Sequence, residues 1–142
     1  MTIWGDTAAF PDYVADLRRL ATHPQIRWGG RLPHDQIWNE LASASLVAIP
    51  THWYEASSLV LDEGFMVGTP ALASNLGVFP EKVRHGLDGL LVPPADTAAW
   101  RTALQRLHDQ PGLVASLRAN VRPPLTAEAH TAQVLALYAS LK

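Results

Sequence analysis

Short apolar runs alternate with stretches of helical periodicity along this chain. Residues 2–4 are apolar and stop at Gly5, the pattern of a short strand. Asp12, after Pro11, stands as a helix cap with Tyr13, Leu17 and Leu20 on one face. His23-Pro24 ends that helix, because a residue before proline avoids the α region. Residues 26–28 read as a second strand closed by Gly29-Gly30. Residues 34–44 read as a helix with Ile37, Trp38 and Leu41 inward. Residues 46–49 form a continuous apolar run stopped by Pro50, which predicts an interior parallel strand covered on both faces. A helix over 58–67, strands over 71–73 and 90–92, and a helix capped by Asp96 with Trp100, Leu104 and Leu107 inward follow. Pro111-Gly112 and Arg122-Pro123-Pro124 break the remainder. A last helix from about Thr126 carries Val134, Leu137, Tyr138 and Leu141 at helical spacing.

Strand and helix in alternation predict an α/β fold, a Rossmann-like, mostly parallel sheet with helices on both faces. The whole chain, residues 1–142, is expected to be a single domain. In open sheets of this kind ligands lie beyond the carboxyl ends of the strands. The segments to search are therefore those after Gly5, 29–33, 50–58, 74–81 and 93–96.

Composition narrows the chemistry. The chain has 142 residues, 48% of them hydrophobic and 17% charged, which excludes a disordered or coiled-coil protein. The formal net charge of −2 and the two lysines, Lys82 and Lys142, offer no clustered positive charge for a nucleic acid. Without cysteine there is no disulfide scaffold, thiolate zinc site or cysteine nucleophile. No apolar run approaches the ~20 residues of a transmembrane segment, and MTIWGD lacks the basic and apolar regions of a signal peptide. A cytoplasmic location is expected, with peripheral membrane association as the alternative.

Residues 50–70 are the richest in candidate chemistry. They leave a strand, cross a loop and enter a helix, so that the amides of Ala56, Ser57, Ser58 and Leu59 face out of a helix N-terminus, where anions and sugar oxygens are attracted. Glu55 precedes these amides and Glu63 lies eight residues on. A carboxylate accepts two hydrogen bonds from a vicinal diol, so the pair suits a hydroxyl-rich ligand; two solvated glutamates would fit the same spacing. Glycosidase acid–base chemistry would need carboxylates on opposing walls of a cleft, whereas these share one loop–helix unit. His52 and Trp53 either contact a ligand or pack within the loop. Trp4, Trp28, Trp38 and Trp100 are read as core. Ser57 and Ser58 read as helix caps rather than nucleophiles, since no G-x-S-x-G elbow surrounds them. The six histidines show no metal-ligand spacing.

Glu55-x7-Glu63 with Gly68-Thr69-Pro70 resembles the signature of the retaining glycosyltransferases of family four, glycosyl transferases group 1, which have the two-domain GT-B architecture. The stretch 44–50 resembles the strand before that signature. Ala73-Ser74-Asn75-Leu76-Gly77 with Pro80-Glu81 resembles the loop after the next strand, and 86–96 the segment ahead of the family's late helices. The likeness runs from about Gly5 to Leu117.

The resemblance implies the C-terminal, donor-binding half of such an enzyme, with the acceptor domain absent. Glu63 would hold the ribose hydroxyls of a UDP-, GDP- or ADP-sugar. Glu55, the catalytic candidate, would lie near the transferred sugar. Ala56, Ser57, Ser58 and Leu59 would contact the sugar or diphosphate, and Gly30, Arg31 and Leu32 the nucleobase. Transfer would proceed with retention and without a metal or other cofactor. The chain departs from the family in three places. The Arg and Lys that neutralise the diphosphate are missing; Glu63 is followed by Gly64 rather than Ala; and a Gly-Gly pair reads Gly77-Val78. Two other readings stand beside the first. One is a truncated, non-catalytic nucleotide- or sugar-binding module, with a protein partner or self-association replacing the acceptor half. The other is a sugar-nucleotide epimerase half.

Overall fold

The computed structural model describes residues 1–141. It forms two compact units, one of residues Met1–Asn39 and one from Glu40 onward.

In the first unit β1 (Thr2–Trp4) pairs in parallel with β2 (Arg27–Gly30), and the register shifts between Ile3 and Trp4. The crossover contains α1 (Pro11–Leu20). Pro11, not Asp12, marks the start of α1: it fills a first-turn position whose N–H would be unpaired anyway. Val14 and Leu17 are the half-buried residues of α1, while Tyr13 and Leu20 are exposed. The Trp4 ring packs over Gly29, where a Cβ would not fit, and the Arg18 guanidinium stacks 5.5 Å from the centre of the Trp28 ring. None of the four tryptophans read as core is buried, and Trp4 is 41% exposed. Short elements leave such large rings only partly covered. The helix expected over 34–44 divides into a 3-10 turn (His34–Gln36) and α2 (Ile37–Ser43), whose Leu41 is buried.

The second unit holds β3 (Val47–Ile49), β4 (Ala71–Ser74) and β5 (Gly89–Val92), parallel and in the order β3-β4-β5. The interior strand is β4, whose four residues are all buried. Residues 46–49 were the expected interior strand; instead β3 lies at the edge of this sheet and Ala48 is exposed. A short apolar run marks a strand without marking its neighbours, and the small residues of β4 let chains approach on both sides.

Helices cover both faces of β4. On one, α3 (Leu59–Met66) and α4 (Phe79–Lys82) place Leu61, Phe65 and Phe79 against Ile49, Ala71 and Ala73. On the other, α5 (Thr97–Asp109) and α6 (Pro111–Asn120) place Leu107 and Leu117 against Leu72, Leu90 and Val92. Asp96 caps α5 as expected, its Oδ1 accepting the Ala99 N–H at 2.9 Å. Leu107 is buried and Trp100 and Ala103 pack beside it, but Leu104 is exposed. Pro111-Gly112, read as a break, opens α6 because proline is favoured at the first helical position. The last helix, α7 (Ala127–Ser140), has Thr126 as its cap and no buried residue; Leu137 and Tyr138 are exposed. Among the described residues no helix is long and apolar enough to cross a membrane.

Candidate functional site

The chain leaves the carboxyl end of β3 at Pro50 and re-enters regular structure at Leu59, so residues 50–58 occupy the end of a parallel sheet where ligands are held. Thr51 is buried and its hydroxyl reaches the Trp53 carbonyl at 3.4 Å. His52, Trp53 and Tyr54 are exposed, and Glu55 is half-buried. The Glu55 carbonyl accepts the Val78 N–H at 3.0 Å. Beside it Gly77 has φ +58°, and a Cβ there would lie 2.8 Å from both the nitrogen and the oxygen of Glu55.

Ser58 occupies the N-cap of α3 with extended backbone, and its carbonyl accepts the Asp62 N–H at 3.2 Å. Its hydroxyl, read from sequence as a cap, bonds no helix amide: Ser58 is 3% exposed and its Oγ has no partner. The first-turn amides of α3 have no acceptor within the helix and sit at the positive end of its dipole. Ala56, Ser57 and Leu59 are exposed around them. Glu63, the fifth residue of α3, is half-buried. The three ion pairs among the described residues, Arg19–Asp16, Lys82–Asp62 and Arg84–Asp88, use neither Glu55 nor Glu63.

Glu55, Ala56, Ser57, Ser58, Leu59 and Glu63 thus share one loop–helix element of the second unit. Gly30, Arg31 and Leu32 belong to the first, where Gly30 ends β2 at φ +71° and its carbonyl accepts the Gly5 N–H at 2.8 Å. Arg31 is exposed and Leu32 half-buried. A shallow groove of about 590 Å³ lies at the other end of β3, between Ser45, Leu46, Pro111 and Val114. No group of three or more His, Asp or Glu side chains is gathered as for a metal ion among the described residues.

Comparison with known proteins matches residues 1–110 to the glycosyl transferases group 1 family. The chain belongs to that family. It is 39% identical over 116 residues to a D-inositol 3-phosphate glycosyltransferase of Rhodococcus jostii, covering 81% of this chain and 25% of that protein. It is 36% identical over 117 residues to an exopolysaccharide phosphotransferase of Streptomyces coelicolor, covering 82% of this chain and 12% of the relative. The chain therefore spans about a quarter or less of these relatives. Among solved structures, a sucrose-phosphate synthase of Thermosynechococcus elongatus superposes with a TM-score of 0.77 at 25% identity, over 99% of this chain and 38% of that one. The Anabaena protein HepE, solved with UDP, gives 0.75 at 24% identity over 84% of this chain and 34% of its own. The Rossmann-like α/β fold of these structures is the fold of this chain.

Two of the group 1 departures lie at closely packed places. Gly64 is buried where α3 packs on β3, and a Cβ there would lie 3.3 Å from Val47 Cγ1 and 3.6 Å from the Thr69 carbonyl oxygen. Gly77-Val78 approaches the backbone of Glu55 closely. The sequence marked Gly77-Val78 as a departure in a loop to be searched, but gave no sign that the pair faces the backbone of Glu55. A glycine in a loop at the end of a strand does not say what it faces.

Proposed function

We propose that this chain is the donor-binding, C-terminal half of a retaining glycosyltransferase, taking a UDP-, GDP- or ADP-sugar and passing its sugar to an acceptor. The observation that carries the reading is the state of Glu55 and Glu63. Both are half-buried, both are outside every ion pair among the described residues, and they flank the N-terminus of α3. A carboxylate left partly desolvated and unpaired is poised to accept hydrogen bonds from hydroxyls. Glu63 takes the ribose diol, and Glu55 faces the transferred sugar.

The first turn of α3, with Ala56, Ser57, Ser58 and Leu59, faces the diphosphate and sugar. Its free amides and dipole stabilise the negative charge that grows on the departing diphosphate. Transfer proceeds with retention and needs no metal. The chain alone binds donor without rapid turnover, because holding an acceptor against the anomeric carbon is worth roughly 7–11 kcal/mol of barrier and an open rim does not supply it. A cytoplasmic protein fits this chemistry.

The test is an NMR titration of the chain with UDP-glucose, GDP-mannose and ADP-glucose. One of them is expected to shift the amides of 56–63, and Glu63→Ala should weaken its binding by about 1.5–3 kcal/mol, the worth of a hydrogen bond to a charged group. Identical shifts and affinity in the wild type and Glu63→Ala would overturn the assignment.

A further inference from the structure

The loop after β4 has no role among the residues assigned above. We infer that Gly77 is a positioning residue for Glu55, a backbone seat that sets where the glutamate side chain starts. The inference rests on the reading that Glu55 faces the transferred sugar.

Three observations carry it. First, the fit is backbone to backbone: a Cβ on Gly77 would lie 2.8 Å from Glu55 N, 2.8 Å from Glu55 O and 3.4 Å from Tyr54 Cα. No flexible side chain can swing away to relieve that contact, and φ of +58° disfavours any L-residue there. Second, the seat is anchored. The Asn75 N–H donates to Val92 at 2.7 Å, the Leu76 N–H to Ser74 at 2.8 Å, and Phe79, which follows, is fully buried. Lys82 then ties α4 to α3 through Asp62. Third, the loop carrying Glu55 has little else to hold it. Its neighbours 52–54 are exposed, and the Thr51 bond to Trp53 is long at 3.4 Å. The Val78 N–H on the Glu55 carbonyl, at 3.0 Å, is the firm tie.

A reacting constellation works only when its groups are held within roughly 0.5 Å of the productive geometry. Making room for a methyl group at 2.8 Å requires the Glu55 peptide to move by several tenths of an ångström, a displacement on the scale of that tolerance. Glu63 is placed by α3 and does not depend on the seat. Loss of the seat should therefore act on the sugar end of a donor and spare the nucleotide end.

The experiment compares wild type, Gly77→Ala and Gly86→Ala by 15N NMR, with UDP and UDP-glucose as probes. Gly86 also has positive φ, +80°, but open space around its Cβ, so Gly86→Ala carries the same kind of backbone strain without the clash. Gly77→Ala is expected to shift the Glu55 and Val78 amide signals. It should weaken UDP-glucose binding by roughly tenfold, equivalent to about 1.4 kcal/mol, while UDP binds as before; Gly86→Ala should do neither. Unmoved amide signals, or UDP and UDP-glucose weakened equally, would overturn the proposal. If Gly77→Ala does not fold, hydrogen exchange on the wild type decides. The Val78 N–H is expected to be protected like the amides of β4, and exchange as fast as the exposed 52–54 loop would remove the seat. UDP-glucose bound no better than UDP by the wild type would instead remove the sugar-facing role of Glu55, a failure separable from the amide result.

Discussion

The Lys82 ammonium donates to both carboxylate oxygens of Asp62, at 2.7 and 2.9 Å, and so joins α4 to α3 one residue before Glu63. Lys82 is one of only two lysines in the chain. Its charge is spent on holding two helices together rather than on a diphosphate. Lys82→Met should therefore leave UDP affinity within about twofold of wild type, a change under 0.5 kcal/mol. Both partners are about a third or a quarter exposed, so thermal unfolding should show a stability loss of no more than about 1 kcal/mol. A large drop in UDP affinity on isothermal titration would show that Lys82 reaches the nucleotide.

Two glycines beside the sheet should respond in opposite ways to alanine. At Gly64 the new methyl meets Val47 Cγ1, a side-chain end, at 3.3 Å and the Thr69 carbonyl oxygen at an ordinary 3.6 Å, and the helix gains about 1 kcal/mol of propensity over glycine. Gly64→Ala is expected to be neutral or mildly stabilising. At Gly89 a Cβ would sit 2.6 Å from the Ala71 carbonyl oxygen and 2.7 Å from Val83 Cγ1. Gly89→Ala should destabilise by about 1–3 kcal/mol, the usual cost of overpacking. Urea denaturation of the two variants measures both signs.

Asp88 is 2% exposed and organises the turn before β5. Its carboxylate accepts the Arg84 backbone N–H at 2.8 Å and the Arg84 Nε–H at 2.6 Å, while the Arg84 guanidinium also donates to the Asn120 carbonyl at 2.6 Å. Asp88→Ala should cost about 1.5–3 kcal/mol, the range for hydrogen bonds to a charged group. Asp88→Asn, which keeps one acceptor oxygen, should cost less. Equal denaturation midpoints for Asp88→Ala and wild type would contradict this account.

The start of α7 should be sensitive to acid. The Glu128 carboxyl is held below the usual carboxylate range, first by a backbone hydrogen bond and then by the Thr126 hydroxyl. A depressed folded-state value means that this interaction is fully present above the ordinary glutamate range and fades as pH falls through the lowered value. The Ala129 amide, bonded to Thr126 Oγ1 at 3.2 Å, should report fraying of the helix start in an acid NMR titration. Glu128→Gln should flatten that pH dependence, and an unchanged profile would exclude Glu128 as its source.

Much of the fold was legible along the chain because its signals are local. The apolar runs at 46–49, 71–73 and 90–92, Asp96 as a helix cap and Thr126 before the last helix all act within a few residues of where they are written. The loop–helix that carries Glu55 and Glu63 was legible for the same reason: the amides and carboxylates of one segment belong to one element whatever packs around it. Even there, short-range signals misled where two meanings compete. Pro111-Gly112 starts a helix as readily as it ends one, and the Tyr13-Leu17-Leu20 face is displaced by Val14.

The tertiary structure alone decided three matters. It made β4 rather than β3 the interior strand of its sheet, because the order of strands depends on crossovers and not on the apolarity of any one run. It left the tryptophans only partly buried, because burial needs surrounding mass that periodicity does not count. And it brought Gly77 against Glu55, twenty-two residues away in sequence, where the absence of a side chain is what permits the contact. A glycine has no polarity or periodicity to announce a partner, so its role is set only by the backbone that folds against it.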